Sequence, residues 1–90
     1  MVKIILDGKD FTSKEKLHKI LKDKLGLPDY YGENLDALWD CLTGWIDLPL
    51  TIEFHNFSES EKYLGGYAKK LLEIFQDAER ELKGFKIELK

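Results

Sequence analysis

Three short strand-like segments of this chain are separated by longer stretches whose apolar residues recur at helical spacing. The predicted strands are residues 2–6 (VKIIL), 50–54 (LTIEF) and 85–89 (FKIEL). Strands that are joined through helices pair in parallel, and their crossovers are right-handed. The chain is therefore predicted to adopt an α/β fold, a three-stranded parallel sheet packed with helices.

Two helices are predicted between the first and second strands. Thr12 and Glu15 have the spacing of a capping box, and the apolar stripe that follows predicts a first helix over about residues 13–25. Asn34 is a good N-cap for a second helix that reaches about Thr43. The core face of that second helix is predicted to comprise Leu35, Leu38, Cys41 or Leu42, and Trp45 just beyond its end.

The segment between the second and third strands begins with a short turn that Ser58 and Glu61 are predicted to cap. A long helix follows and ends at Gly84. Its predicted apolar stripe comprises Tyr67, Leu71, Ile74, Phe75, Ala78 and Leu82. The first strand does not alternate apolar and polar residues as the other two do, which predicts a strand covered on both faces at the centre of the sheet.

Ninety residues predict a single domain over 1–90 and a monomer. No apolar run approaches the length of a membrane span, and the chain does not start like a signal peptide. Cys41 is the single cysteine, so no internal disulfide can form, which is typical of a reducing compartment. We therefore expect a cytoplasmic protein that does not bind a membrane.

Charge is distributed unevenly along the chain. From Leu25 through Ser60 there is no Lys or Arg, although the net charge of the whole chain is only -3. The carboxylates of this stretch are Asp29, Glu33, Asp36, Asp40, Asp47, Glu53 and Glu59. Such a segment repels a polyanion, so we expect a cationic protein partner and no nucleic acid.

Asp36 and Asp40 lie four residues apart on the second predicted helix, and therefore on one face of it. Like charges at this spacing destabilise a helix by about 0.2 to 0.5 kcal/mol. Folding gives no reason for that arrangement, whereas a cationic partner would. A stripe of aspartates is also common on an ordinary solvated face, so the spacing alone leaves both interpretations open.

An enzymatic interpretation would use the paired carboxylates as in glycoside hydrolysis, or Cys41 as a nucleophile with His18 or His55 as its base. A small three-stranded domain has little volume for a substrate cleft. Cys41 falls on the apolar side of its helix, and both histidines are predicted to be half-exposed surface residues. No phosphate loop or metal-binding spacing is present. We predict a protein that is not an enzyme and uses no cofactor or metal.

Residues 30–45, YYGENLDALWDCLTGW, closely resemble the barstar family of intracellular inhibitors of barnase-type ribonucleases. The resemblance continues at lower identity over nearly the whole chain and matches poorly over residues 55–66. It implies a barstar-like fold and a one-to-one complex with a barnase-type, guanyl-preferring ribonuclease. In that complex the second helix and the loop before it would block the active site of the nuclease.

The resemblance also implies which residues bind the partner. Asp40 would take the place of an RNA phosphate. Asp77 stands where the family has a glutamate that pairs with a nuclease arginine, and it is one methylene shorter. A cis peptide bond between Leu48 and Pro49 is also expected. The full set of implied binding residues is Tyr30, Asn34, Asp36, Trp39, Asp40, Thr43, Gly44, Trp45 and Asp77.

A second hypothesis keeps this fold and its acidic face but assigns them another partner. The chain would then be an acidic binding or immunity protein for a different cationic toxin nuclease, or for a basic regulatory protein. Its tryptophans would be binding residues under either hypothesis, although tryptophan at these spacings is also common in a core.

Overall fold

The computed structural model describes residues 2–90, and this part of the chain contains three strands and four α-helices. In chain order they are β1 (Val2–Asp7), α1 (Lys14–Leu25), α2 (Leu35–Gly44), β2 (Leu50–His55), α3 (Phe57–Leu64), α4 (Gly66–Glu81) and β3 (Phe85–Leu89). A single 3-10 turn, Gly8–Asp10, follows β1. The strands form one parallel sheet, so the predicted α/β architecture is confirmed.

The strand order is β1-β2-β3, which places the second strand at the centre of the sheet. Ile52 of β2 is fully buried, and it pairs with Ile4 on one side and Ile87 on the other. The prediction that the first strand is central is wrong. Val2 and Ile5 are 58% and 49% exposed, so the mostly apolar sequence of β1 belongs to a partly uncovered edge strand.

One face of the sheet is covered by helices and the other is open. Two right-handed crossovers that advance in the same direction place their helices on the same face. On that face the buried residues of the strands and helices form one core: Leu6, Leu17, Leu21, Leu38, Cys41, Leu42, Leu50, Ile52, Phe54, Leu71, Phe75, Ala78 and Phe85.

The opposite face, called here the open face, carries the alternate strand residues. It comprises Lys3, Ile5, Asp7, Thr51, Glu53, His55, Lys86 and Glu88. Glu53 lies at its centre, 2.5 Å from the Lys3 ammonium and 3.0 Å from His55 Nε2. Hydrogen bonds from these two side chains lower the pKa of Glu53 to about 2. The open face is therefore held together by charge rather than by an apolar core.

Both outer edges of the sheet are occupied by charged side chains. At the β1 edge, Lys24 Nζ donates a hydrogen bond of 3.0 Å to the carbonyl oxygen of Ile5. At the β3 edge, the backbone N–H of Ile87 donates a bond of 3.0 Å to Glu79 Oε2. Each bond uses a backbone group that would otherwise be free to pair with another strand.

Two helix starts differ from the prediction. The N-cap of α1 is Ser13 rather than Thr12, because the Ser13 hydroxyl accepts the N–H of Lys16 at 3.1 Å. The segment expected to be a short turn is the eight-residue helix α3, which follows Asn56 in a left-handed conformation (φ 55°). Ser58 therefore lies within that helix and does not cap it.

Two other features lie close to their predicted positions. The helix α4 ends at Glu81 rather than continuing to Gly84, because Leu82 already has an extended backbone. The peptide bond between Leu48 and Pro49 is cis, as expected.

Candidate partner-binding site

The loop between α1 and α2 is fixed at both ends by local backbone chemistry. Gly26 ends α1 in a left-handed conformation (φ 63°), and Leu27 is buried directly after it. At the other end, Asn34 Oδ1 accepts the backbone N–H of Ala37 at 2.7 Å, and Asn34 Nδ2 donates to the Gly32 carbonyl at 3.3 Å. The Asn34 side chain thus caps α2 and ties the loop to it.

Asp36 and Asp40 lie one turn apart on the exposed side of α2, as their spacing predicts. Within residues 2–90, neither carboxylate forms an ion pair or accepts a hydrogen bond from a side chain. Both line a groove of about 440 Å³ between α2 and α4, called here the acidic groove. Its lining residues are Leu35, Asp36, Trp39, Asp40, Ile74, Asp77, Arg80 and Glu81.

Asp77 lies in the same groove, on the α4 side, so the structure brings it to the two aspartates of α2. Its carboxylate is not free, however. It forms an ion pair with Arg80, which is three residues further along the same helix and lines the groove too. Asp77 is the one acidic residue of the predicted set that already has an internal counter-ion in the described part of the chain.

Tyr30 and Trp45 form an exposed aromatic pair beside the start and the end of α2. Their ring centroids are 6.1 Å apart in an edge-to-face arrangement, and Tyr30 is 78% exposed. Trp45 is 48% exposed, so the prediction that it continues the core face of α2 is wrong. Its indole Nε1 donates a bond of 3.0 Å to the carbonyl oxygen of Gly26, and this contact holds the ring at the surface.

The remaining predicted residues lie along the same helix. Trp39 is half-buried, with its ring packed against the core and forming part of the acidic groove. Thr43 is exposed, and its hydroxyl donates to the Trp39 carbonyl at 2.9 Å. Gly44 is the last residue of α2, and a Cβ built there would meet no atom within 4 Å. All three therefore lie on or beside the surface that carries Asp36 and Asp40.

A buried polar cluster of His18, Tyr31 and Tyr67 lies beneath the loop between α1 and α2, and no local sequence pattern predicts it. His18 of α1 is 1% exposed, so the prediction that it is a half-exposed surface residue is wrong. Its Nδ1 lies 2.6 Å from the Tyr31 hydroxyl, and its Nε2 lies 2.6 Å from the Tyr67 hydroxyl. The cluster connects α1, the loop before α2 and the start of α4.

Burial determines the protonation of this cluster. Loss of solvent lowers the pKa of His18 below its usual 6.5, and the charge of Glu33 opposes this only in part. The same desolvation raises the pKa values of Tyr31 and Tyr67. A neutral imidazole between two neutral phenols is the favoured state, and it fixes the backbone next to the exposed Tyr30.

Cys41 is buried, and burial raises the pKa of its thiol, which disfavours the nucleophilic thiolate. Within residues 2–90, no group of three His, Cys, Asp or Glu side chains is placed to hold a metal ion. In the same range, no helix has both the length and the apolar character needed to cross a membrane.

Comparisons with known proteins agree with the resemblance found over residues 30–45. A family model described as "Barstar (barnase inhibitor)" matches residues 1–90. The Bacillus subtilis (strain 168) protein named "Putative ribonuclease inhibitor YrdF" is 62% identical over 88 residues, which cover 97% of each chain. The fold described above is the α/β fold that this resemblance implies. The chain belongs to the barstar family.

Proposed function

We propose that this chain inhibits a barnase-type ribonuclease by placing α2 and the loop before it in the active-site cleft of the nuclease. The observation that carries the proposal is the pair Asp36 and Asp40, exposed and without an internal counter-ion within residues 2–90. A ribonuclease cleft is cationic because it binds RNA phosphates, so it is complementary to this pair. The family description and the name of the Bacillus relative support a ribonuclease as the partner.

Each part of the surface has a distinct role in this proposal. Asp40 takes the place of an RNA phosphate, and Asp36 pairs with a second cation of the cleft. Tyr30 and Trp45 supply rigid contact area at a low entropic cost, as aromatic anchors do at other interfaces. The Asn34 cap and the His18 cluster hold α2 and its loop in place before binding, which limits the ordering cost.

No bond is made or broken in this mechanism. Family membership identifies an inhibitor rather than an enzyme, and inhibition here follows from occupancy of the cleft in a one-to-one complex. Because exposed charges steer the encounter over about a Debye length, roughly 8 to 10 Å near physiological salt, association is expected to be fast and to slow as salt is added.

The first prediction concerns Asp40. Replacing it with asparagine keeps the shape of the side chain but leaves the facing cations of the nuclease unpaired in a buried interface. We expect binding to weaken by about 3 kcal/mol, roughly a hundredfold in Kd. The measurement is a titration of Asp40→Asn and the wild type into a barnase-type ribonuclease, with RNA cleavage as the readout.

Glu88→Gln is the matched control, because it removes one carboxylate from the open face of the sheet, away from α2. It should inhibit as the wild type does. Equal losses for the two variants would contradict the assignment of the site to α2. Failure of the folded wild type to inhibit would contradict the proposed target.

A second candidate function is supported by the ion pair between Asp77 and Arg80. One carboxylate of the acidic groove is thereby neutralised, and this charge pattern favours a different cationic toxin nuclease as the partner. A panel of purified nucleases distinguishes the two candidates. Inhibition of another nuclease, with none of a barnase-type enzyme, would favour this second candidate.

A further inference from the structure

Arg80 is the one cation among the described residues that line the acidic groove. Four carboxylates share that lining with it, two from α2 (Asp36 and Asp40) and two from α4 (Asp77 and Glu81). The guanidinium pairs with Asp77 alone among these four, in an i,i+3 arrangement along α4. A positive charge therefore lies within the surface proposed to receive a cationic partner.

This ion pair can be broken without disturbing the fold. The Arg80 side chain is 70% exposed and that of Asp77 is 49% exposed, so water surrounds much of both groups. Exposed ion pairs of this kind contribute little to stability and are screened by salt. An arginine or lysine of a partner that approaches Asp77 must nevertheless compete with a guanidinium that is already there.

We propose that Arg80 is a specificity-determining residue of this site. It is an internal counter-ion that competes with the cations of the partner for Asp77, and its charge repels a cationic partner as it approaches. Arg80 thereby disfavours nucleases that place a cation opposite Asp77, near the C-terminal end of α4. This inference rests on the proposed function, since it concerns the same surface and the same class of partner.

The test is a set of association rates for a barnase-type ribonuclease, measured by stopped flow at low and at high salt. Arg80→Gln should associate about threefold faster than the wild type at low salt, because a repulsive charge is removed from the encounter surface. The difference should shrink at high salt. Lys86→Gln, which removes the same charge from the open face, should change the rate much less.

A double-mutant cycle tests the competition for Asp77 directly. Asp77→Asn should weaken equilibrium binding more in the Arg80→Gln background than in the wild type, because Asp77 is more available to the partner when Arg80 does not compete for it. A merely structural role of Arg80 would not produce this coupling. Circular dichroism and urea denaturation establish that every variant is folded.

The outcomes separate this inference from the proposed function. If the wild type inhibits the nuclease but Arg80→Gln associates no faster than the wild type, the role of Arg80 is overturned and the proposed function stands. The role of Arg80 is also overturned if Asp77→Asn weakens binding equally in the wild-type and Arg80→Gln backgrounds. No inhibition by the folded wild type overturns both proposals together.

Discussion

At the scale of single residues, His18 is the side chain whose chemistry depends most on its surroundings. A neutral imidazole has one N–H and one bare nitrogen, so one of its tyrosine partners accepts a hydrogen bond and the other donates one. Protonation would make both nitrogens donors and would place a charge in a site that is 1% exposed. The folded state therefore resists protonation of His18.

This resistance predicts a pH-dependent stability. The pKa of His18 is lowered in the folded protein, so its contribution is fully present above the unfolded value of 6.5 and is lost as the pH falls below it. In that window the unfolded chain binds a proton that the folded chain does not. The free energy of unfolding should fall by up to about 1.4 kcal/mol per pH unit, as measured by urea denaturation between about pH 7 and pH 5.

Two variants identify the residue responsible. His18→Gln should be less stable at neutral pH but should lose the slope, whereas His55→Gln, which changes the other histidine, should keep it. The carboxyls with lowered pKa values, Asp7 and Glu53, lose their stabilising contributions only below their usual values of 3.8 and 4.5. A slope that persists in His18→Gln would contradict this explanation.

The sequence shows that His18 adjoins an apolar stripe, yet it does not show what surrounds the ring. Tyr31 is 13 residues away along the chain and Tyr67 is 49 residues away, and only the packing of three elements brings both hydroxyls to the imidazole. A histidine one residue from Leu17 is compatible with a surface or a core position. Tertiary contacts, which local periodicity does not contain, decide between the two.

At the scale of elements, α2 illustrates a segment in which local signals and tertiary structure agree. Its N-cap, its length and its buried residues (Leu38, Cys41 and Leu42) follow from cap chemistry and from the helical period. Asn34 was also predicted to be a partner-binding residue, and the structure adds that its carboxamide already caps the helix. A loss of binding on changing Asn34 would thus have two possible origins.

The capping role of Asn34 can be tested with a pair of substitutions. Asn34→Ala removes the acceptor for the N–H of Ala37 and should cost about 1 kcal/mol of stability, as measured by urea denaturation. Asn34→Asp keeps an acceptor at the cap and should retain most of that stability. If both variants were as stable as the wild type, the cap would not be important for α2.

The starts of α1 and α3 were less predictable than α2. Thr12 and Ser13 are both good N-cap residues, so the sequence does not decide which of them begins α1. In the structure Ser13 has the extended backbone of an N-cap and accepts the first cap bond. The helix α3 begins after Asn56, whose backbone is left-handed and whose side chain makes no cap bond, so the capping pattern of Ser58 and Glu61 does not mark its start. Residues 55–66 were also the stretch in which the family resemblance was weakest.

At the scale of the whole molecule, the sheet is covered by helices on one face only, and its order follows the chain order. Strand existence and parallel pairing were predictable, because each strand is short and helices separate the strands. The central position of β2 was not predictable, because β2 alternates apolar and polar residues as a strand with one solvated face does. Its polar face is instead covered by the cluster of Lys3, Glu53 and His55. The predicted site residues do come together, since most of them lie on one helix.

The occupied sheet edges support a prediction at this scale. Glu79→Ala removes the acceptor for the N–H of Ile87 and leaves that backbone group at the β3 edge without its partner. We expect greater self-association than for the wild type, as measured by sedimentation velocity over a wide concentration range. Glu73→Ala, another exposed carboxylate of α4, is the matched control and should behave as the wild type does.

Lys24 and Glu79 also bear on how much inhibitor is available to act. An inhibitor that works by occupancy neutralises one nuclease molecule per copy, and it has no turnover with which to make up for copies that are lost. A copy joined edge to edge with another would be withdrawn from that supply if the association covered α2. Under the proposed function, Lys24 and Glu79 would limit such losses, because their side chains occupy backbone groups at both edges of the sheet.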